Sequence, residues 1–317
     1  MTTSLSHLCA SVWALSAVRV AAESDLLATM AGGETNPEAL ARKSRLAPAI
    51  AARILETLEA NGFVERKDDG FVLSTEGADL AARADWLRAD LAVTFGQCHA
   101  FVVESRRTDL ASGWQHHDAE IIRSQSTLSR ILTERAIDGM LAGVPGLERL
   151  GRPGAKLLDV GTGGAGVAIA FCRRFPSLRV VGLDPLRAAN LEARTAIDVA
   201  GLSDRIEVRS ITVETLSEEN MYDAAFVASS FLDDATLCAG LGRVSRALVP
   251  GGTALLHAWR SPEQKQLAAA AQLRWQLWGG SRSPADAIRI AKAAGLVDVR
   301  EGPAAGLMVP VIGSAPG

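Results

Sequence analysis

One stretch limits the fold of this chain more than any other. It runs Lys156-Leu157-Leu158-Asp159-Val160, then Gly161-Thr162-Gly163-Gly164-Ala165-Gly166, then Val167-Ala168-Ile169-Ala170-Phe171. A short apolar run closes on an acid and a glycine loop, and apolar residues then recur with helical period. This reads as a buried strand, a tight turn and a helix, the unit from which parallel sheets are wound. Glycine permits positive φ in the turn and lets a ligand come close to the main chain. Further along, Arg179-Val180-Val181-Gly182-Leu183-Asp184-Pro185 is a second strand that ends in a carboxylate. An acid in that place can accept both hydroxyls of an adenosine ribose.

Gly161, Gly163 and Gly166 also satisfy the dinucleotide fingerprint, so the glycines alone do not separate one nucleoside ligand from another. Asp159 does. A carboxylate at the mouth of the loop repels a pyrophosphate held at a helix N-terminus. It suits a nucleoside carrying positive charge, such as the ammonium and sulfonium of S-adenosylmethionine. The pattern resembles motif I of class I S-adenosylmethionine-dependent methyltransferases, with Asp159, Gly161 and Gly163 on the matched positions. An NAD-dependent oxidoreductase is the competing reading. Asp159 stands against it, as does the lack of a clear hydride-transfer site downstream.

After Gly154 strand and helix alternate regularly. Strands are predicted near 156–161, 179–184, 206–211, 222–230, 252–260, 297–302 and 306–313, with helices starting near Ala165, Leu186, Asp234 and Pro284. Leu237, Leu241, Val244 and Leu248 recur at core spacing, and Pro250-Gly251-Gly252 reads as a turn into the fifth strand. The predicted fold is α/β: a doubly wound, Rossmann-like sheet of seven strands, its ligand lying across the C-terminal ends of the first strands. A mainly helical winged-helix domain precedes it.

That N-terminal part begins with two amphipathic stretches over 8–31. Asn36-Pro37-Glu38 then starts a short helix to Ser44, and Pro48 starts a longer one with Ile50, Ile54 and Leu58 on one stripe. Phe63–Arg66 and Phe71–Leu73 flank Asp68-Asp69-Gly70, a hairpin signal. Helix, helix, hairpin is a winged-helix order, and the leading face of its second helix decides its use. Leu46 to Ala51 are all apolar, and Arg45 and Arg53 are the charges before Glu56. That surface suits protein better than phosphate. It resembles the N-terminal dimerisation domain of small-molecule O-methyltransferases, which implies a homodimer. The boundaries read as 1–90 for this domain, 91–150 for a helical connector lining the substrate pocket, and 151–317 for the cofactor-binding domain.

Net charge is −3, so composition carries no sign of a nucleic-acid or anionic-membrane partner. Cys9, Cys98, Cys172 and Cys238 lie far apart in apolar contexts, which predicts buried free thiols, no metal site and a reducing cytoplasm. The apolar run from Leu8 to Ala22 lacks a basic leader and is interrupted by Arg19, so neither a signal peptide nor a membrane span is expected.

The resemblance implies a cofactor set of Asp159, Gly161, Thr162, Gly163, Asp184, Pro185, Leu186, Thr212 and Ser229. Two departures stand out. The family has an acid after the third strand for the adenine amino group, where this chain has Thr212. It also has a histidine base after the fourth strand, and that place falls here on Ser230. The substitutes are His116 and His117 from the connector, expected as catalytic candidates, and His257. Trp114, Ser230, Phe231, His257 and Trp259 are expected to line the acceptor site, tryptophan stacking being suited to a flat aromatic acceptor. Asp233 and Asp234 read as helix-capping acids. The implied activity is methyl transfer from S-adenosylmethionine to a small organic acceptor, aromatic or of secondary metabolism. The alternatives are another reaction on the same cofactor, or a ligand-sensing winged-helix protein.

Overall fold

The computed structural model describes residues 4–106, 113–114, 116–276 and 282–317. Contacts divide the chain into two compact units, Met1–Thr94 and Phe95–Gly317.

The first unit runs α1 (Leu5–Glu23), α2 (Leu26–Ala31), α3 (Pro37–Lys43), α4 (Pro48–Ala60), β1 (Val64–Lys67), β2 (Gly70–Leu73) and α5 (Thr75–Ala82); α6 (Ala84–Glu104) begins in it and ends in the second unit. Helix starts follow their caps: Asn36 accepts from the Ala39 N–H with Pro37 behind it, and Ser74 accepts from the Gly77 N–H. The β1–β2 hairpin turns through Asp68 at φ 50°, a left-handed position that aspartate tolerates. Three sequence expectations need correction. The buried stripe of α4 is Ala51, Ile54, Leu55 and Leu58, while Ile50 faces solvent, because the helix phase set by Pro48 places it one step off the packed face. Cys9, Cys98 and Cys238 are exposed, and Cys172 alone among the four is buried. Their helices bury other faces. By length and composition α1 is also apolar enough to cross a membrane, despite Arg19, whose charge is paired with Glu23 at 2.7 Å.

The second unit holds α7 (Ala119–Gly143), β3 (Lys156–Val160), α8 (Gly166–Arg174), β4 (Arg179–Leu183), α9 (Arg187–Val199), β5 (Ile206–Arg209), β6 (Tyr222–Val227), α10 (Asp234–Ala247), β7 (Leu248–Trp259), α11 (Lys265–Gln276), α12 (Pro284–Ala293), β8 (Val297–Glu301) and β9 (Met308–Ser314). Its seven strands lie in the order β5-β4-β3-β6-β7-β9-β8. Pairs from β5 to β7 are parallel, and β9 runs antiparallel to both neighbours. Strand order reverses between β3 and β6, the switch point at which such sheets open a crevice. Alternation along β3 sends Leu157 into a core with α7, α8 and α9, and Leu158 into a core with α10 and α12. Both leucines are fully buried, and each such burial contributes about 2 kcal/mol. The Pro250-Gly251-Gly252 segment is not a turn ahead of β7 but a bulge inside it. Leu248 already pairs with Tyr222, and pairing resumes at Thr253 opposite Ala224.

Candidate cofactor and acceptor site

At the end of β3 the chain turns through Gly161 (φ 74°) and Gly163 (φ 54°). A Cβ on Gly163 would meet nothing nearer than Ser126 Oγ at 3.9 Å, so the space above it is open, a cradle for a ligand. Gly166 is a different case. A Cβ there would sit 2.0 Å from the Ser126 carbonyl oxygen, because the backbone of α7 crosses α8 at that point. The third glycine of the fingerprint serves helix packing.

Asp159 projects to the face shared with Leu157, and its carboxylate accepts the Thr162 hydroxyl at 2.7 Å. Thr162 in turn rests on Gly182 of β4, where a Cβ would lie 2.7 Å from the same hydroxyl. Burial pushes the Asp159 carboxyl up to about 7; the Thr162 bond opposes the shift, and Asp184 adds to it. Asp184 takes the Gly163 N–H at 3.0 Å on one oxygen and the Leu186 N–H at 2.9 Å on the other. Burial raises its pKa as well, against those two amides. Asn190, on α9, donates to the Asp184 carbonyl and to Ser210, both at 2.8 Å, while its own Oδ1 is buried with no hydrogen-bond partner. Pro185 is exposed and Leu186 half-buried beside it; Thr212 is half-buried at the start of the short 3-10 turn after β5. The residues present fit the cationic nucleoside: a cradle that a Cβ would enter, two half-to-fully buried carboxylates, and an orphaned amide oxygen.

Next to the loop, Ala228 donates to the Val160 carbonyl at 3.0 Å, and the chain enters the turn Ser229–Phe231. Here the structure assembles an unbroken run of rings. His116 meets Trp114 at 5.0 Å, Trp114 meets Phe231 at 5.4 Å, Phe231 meets His257 at 6.0 Å, His257 meets Trp259 at 5.0 Å, and Trp259 meets Trp275 at 6.4 Å. The Trp114 N–H donates to the Phe231 carbonyl and its indole N–H to the His116 carbonyl. Trp278, another aromatic of the sequence, lies outside the described residues.

The two expected catalytic histidines part company. His117 is exposed, whereas His116 is buried with its Nε2 unpartnered, and burial lowers its pKa. His257 also keeps an unpartnered, buried Nδ1, and desolvation drives it down to about 4, so the ring is neutral at physiological pH. Its carbonyl accepts the hydroxyls of Ser229 and Ser230, the latter at 3.1 Å, which commits both serines to joining β6 and β7. Asp233 caps α10 through the Thr236 N–H at 2.9 Å, as its position predicted. Ser126, Asn190 and Arg282 carried no sequence signal; each acts across long chain separations that no local pattern records.

The comparisons with known proteins agree with this geometry. Residues 157–252 match the family model described as a methyltransferase domain. No curated protein sequence matches the chain. Among solved structures it is similar to the S-adenosylmethionine-dependent methyltransferase SibL (21% identity, TM-score 0.66, covering 99% of this chain and 100% of that one). It is similar to human N-acetylserotonin methyltransferase in complex with S-adenosylmethionine (12% identity, TM-score 0.70, 100% and 99% covered). It is also similar to NcsB1, an O-methyltransferase from neocarzinostatin biosynthesis, in complex with S-adenosylmethionine and 2-hydroxy-5-methyl naphthoic acid (23% identity, TM-score 0.60, 95% of each chain covered). Residues 157–252 thus match a methyltransferase domain, on a chain that shares the fold of S-adenosylmethionine-dependent O-methyltransferases.

Proposed function

We propose that the acceptor is a planar hydroxyarene of secondary metabolism, methylated on oxygen in the slot walled by Trp114, Phe231, His257 and Trp259. The run of touching rings beside the glycine loop is the observation that carries this reading. The hydroxynaphthoic acid in the NcsB1 complex is a compound of that shape. Bound S-adenosylmethionine supplies an electrophilic methyl on a good leaving group. The protein's own work is to orient and to move a proton. The cradle over Gly163, with Asp159 and Asp184 beside it, holds the cofactor. The rings clamp the arene at attack distance and keep water out.

His116 is the base in this proposal. It is buried against Trp114 with a free nitrogen, and its lowered pKa keeps it able to accept a proton. His257, neutral down to about pH 4, accepts a hydrogen bond better than a proton. His116→Ala is expected to cut turnover by about a hundredfold or more, the span of a lost general base. His117→Ala should stay within about twofold, since an exposed side chain leaves the slot unchanged. Rates on a hydroxyarene panel, read as S-adenosylhomocysteine release, check both. Before that, titration calorimetry with S-adenosylhomocysteine should show saturable binding; no heat at millimolar ligand ends the cofactor reading. Turnover of acceptor without S-adenosylhomocysteine release would instead favour a non-methylating reaction on this cofactor.

We further propose that the three segments divide the labour as 1–90 for association, 91–150 for the acceptor wall and 151–317 for the cofactor. Along α1, Leu5, Leu8, Val12 and Trp13 stand exposed, Trp13 at 76%, a stripe of the kind a second copy covers. Light scattering is expected to report a dimer. The double substitution Leu8→Glu with Trp13→Glu should give a monomer; an unchanged dimer would remove α1 from the interface.

A further inference from the structure

We propose that Arg282 is a positioning residue that sets the two sides of the acceptor slot, Phe231 and Trp259, relative to each other. This rests on reading those rings as the acceptor wall. The Arg282 side chain is 5% exposed and sits behind the wall. Its Nε donates to the Ser229 carbonyl and its Nη2 to the Leu232 carbonyl, both at 3.2 Å. Those carbonyls bracket the short turn that carries Ser230 and Phe231, and a turn that short leaves its end carbonyls without helical partners. A planar guanidinium satisfies both at a fixed spacing, as no flexible ammonium can. Arg282 reaches the other side of the slot as well: its own carbonyl accepts the Trp259 N–H at 3.0 Å. One residue thus bonds the backbone on both sides. Phe231 passes the constraint on, because its carbonyl takes the Trp114 N–H.

The electrostatics argue that placement, not stability, is the use of this arginine. Its ion-pair partner at 2.8 Å is Asp234, whose side chain is 83% exposed. A solvated carboxylate returns little of what it costs to bury a guanidinium, and an apolar side chain would fill the same volume without that cost. What an apolar side chain cannot do is hold two carbonyls and a strand at set distances. Sequence position hid this role, since Arg282 precedes the Ser283 cap of α12 and carries no periodic signal.

The test is fluorine NMR on the full chain, labelled with 5-fluorotryptophan and saturated with S-adenosylhomocysteine, the resonances assigned by single Trp→Phe changes. In Arg282→Lys the Trp259 and Trp114 resonances are expected to shift and broaden together. Trp13 and Trp86, in the first unit, should stay in place, and S-adenosylhomocysteine affinity should stay within about twofold. With 1-naphthol as the acceptor probe, binding to the loaded protein is expected to weaken by about tenfold or more, the effect of misplaced walls. Trp259 and Trp114 resonances that do not move would overturn the proposal. Should Arg282→Lys fail to fold, Asp234→Asn alters an exposed side chain and still loosens the guanidinium. It should shift the same two resonances by less, and no shift there overturns the proposal equally. If wild-type protein fails to bind 1-naphthol, the acceptor reading is at fault, while the spectra still judge Arg282.

Discussion

S-adenosylhomocysteine is expected to bind about thirtyfold more weakly at about pH 5.5 than at about pH 8, and Asp159→Asn should bind weakly at both. Asp159 is 1% exposed, and its folded pKa is raised from 3.8 to about 7. An ammonium is favoured by the ionised carboxylate alone, so affinity is full above about 7 and falls about tenfold per pH unit below it. Calorimetry in two buffers of different ionisation enthalpy should count close to one proton released at about pH 5.5, about half of one near pH 7, and none in Asp159→Asn. A pH-independent wild-type affinity would sink the electrostatic argument on which the cofactor assignment began.

The same residue makes a stability statement of opposite sign. A carboxyl whose pKa is raised on folding helps the cofactor-free protein most below the unfolded value near 3.8. That help is lost as pH rises through about 7. At about pH 8 the buried charge costs up to about 4 kcal/mol. Asparagine carries no charge and still offers an oxygen to the Thr162 hydroxyl. Cofactor-free Asp159→Asn is therefore expected to melt a few degrees higher than wild type at about pH 8 and no higher at about pH 4. A variant that gains stability while losing its ligand separates a functional carboxylate from a structural one.

The second large effect separates two glycines that look alike in the loop. Gly166→Ala would place a methyl 2.0 Å from the Ser126 carbonyl oxygen and 2.9 Å from its carbon. Backbone cannot yield as a side-chain tip can, so α7 must move off α8, at a cost of about 3 kcal/mol or more. A melting temperature lower by about 10 °C is the expected reading. Gly163→Ala meets open space, and its left-handed φ costs about 1 kcal/mol, yet the methyl enters the cradle. Its melting point should fall by a few degrees at most, with S-adenosylhomocysteine affinity down by about tenfold or more. Thermal scans and calorimetry on the two variants check this, and the reverse pattern would misplace the ligand.

Local signals made most of the second unit legible. Strand β3, the glycine loop and α8 announce themselves because an apolar run, a turn and a helical period are properties of consecutive residues. The caps at Asn36 and Asp233 were readable for the same reason. The Pro250-Gly251-Gly252 segment misled because a proline and two glycines make a turn and a bulge alike; pairing of Leu248 with Tyr222, far off in the chain, selects the bulge. Exposure of Ile50 and of three cysteines depended on which helix face found a neighbour.

What the sequence determined by itself is the strand-helix alternation of a doubly wound sheet and the two acids Asp159 and Asp184 at its mouth, since periodicity and glycine turns are written in neighbouring residues; the strand order and its switch point came from pairing. What tertiary structure decided is the content of the site. It made Gly166 a packing residue under Ser126, buried His116 and left His117 in solvent, and strung Trp114, Phe231, His257 and Trp259 into one wall with Arg282 behind it. Those contacts join residues far apart in the chain, and the free energy that selects them is burial and hydrogen bonding among groups that meet only when the sheet closes on its helices.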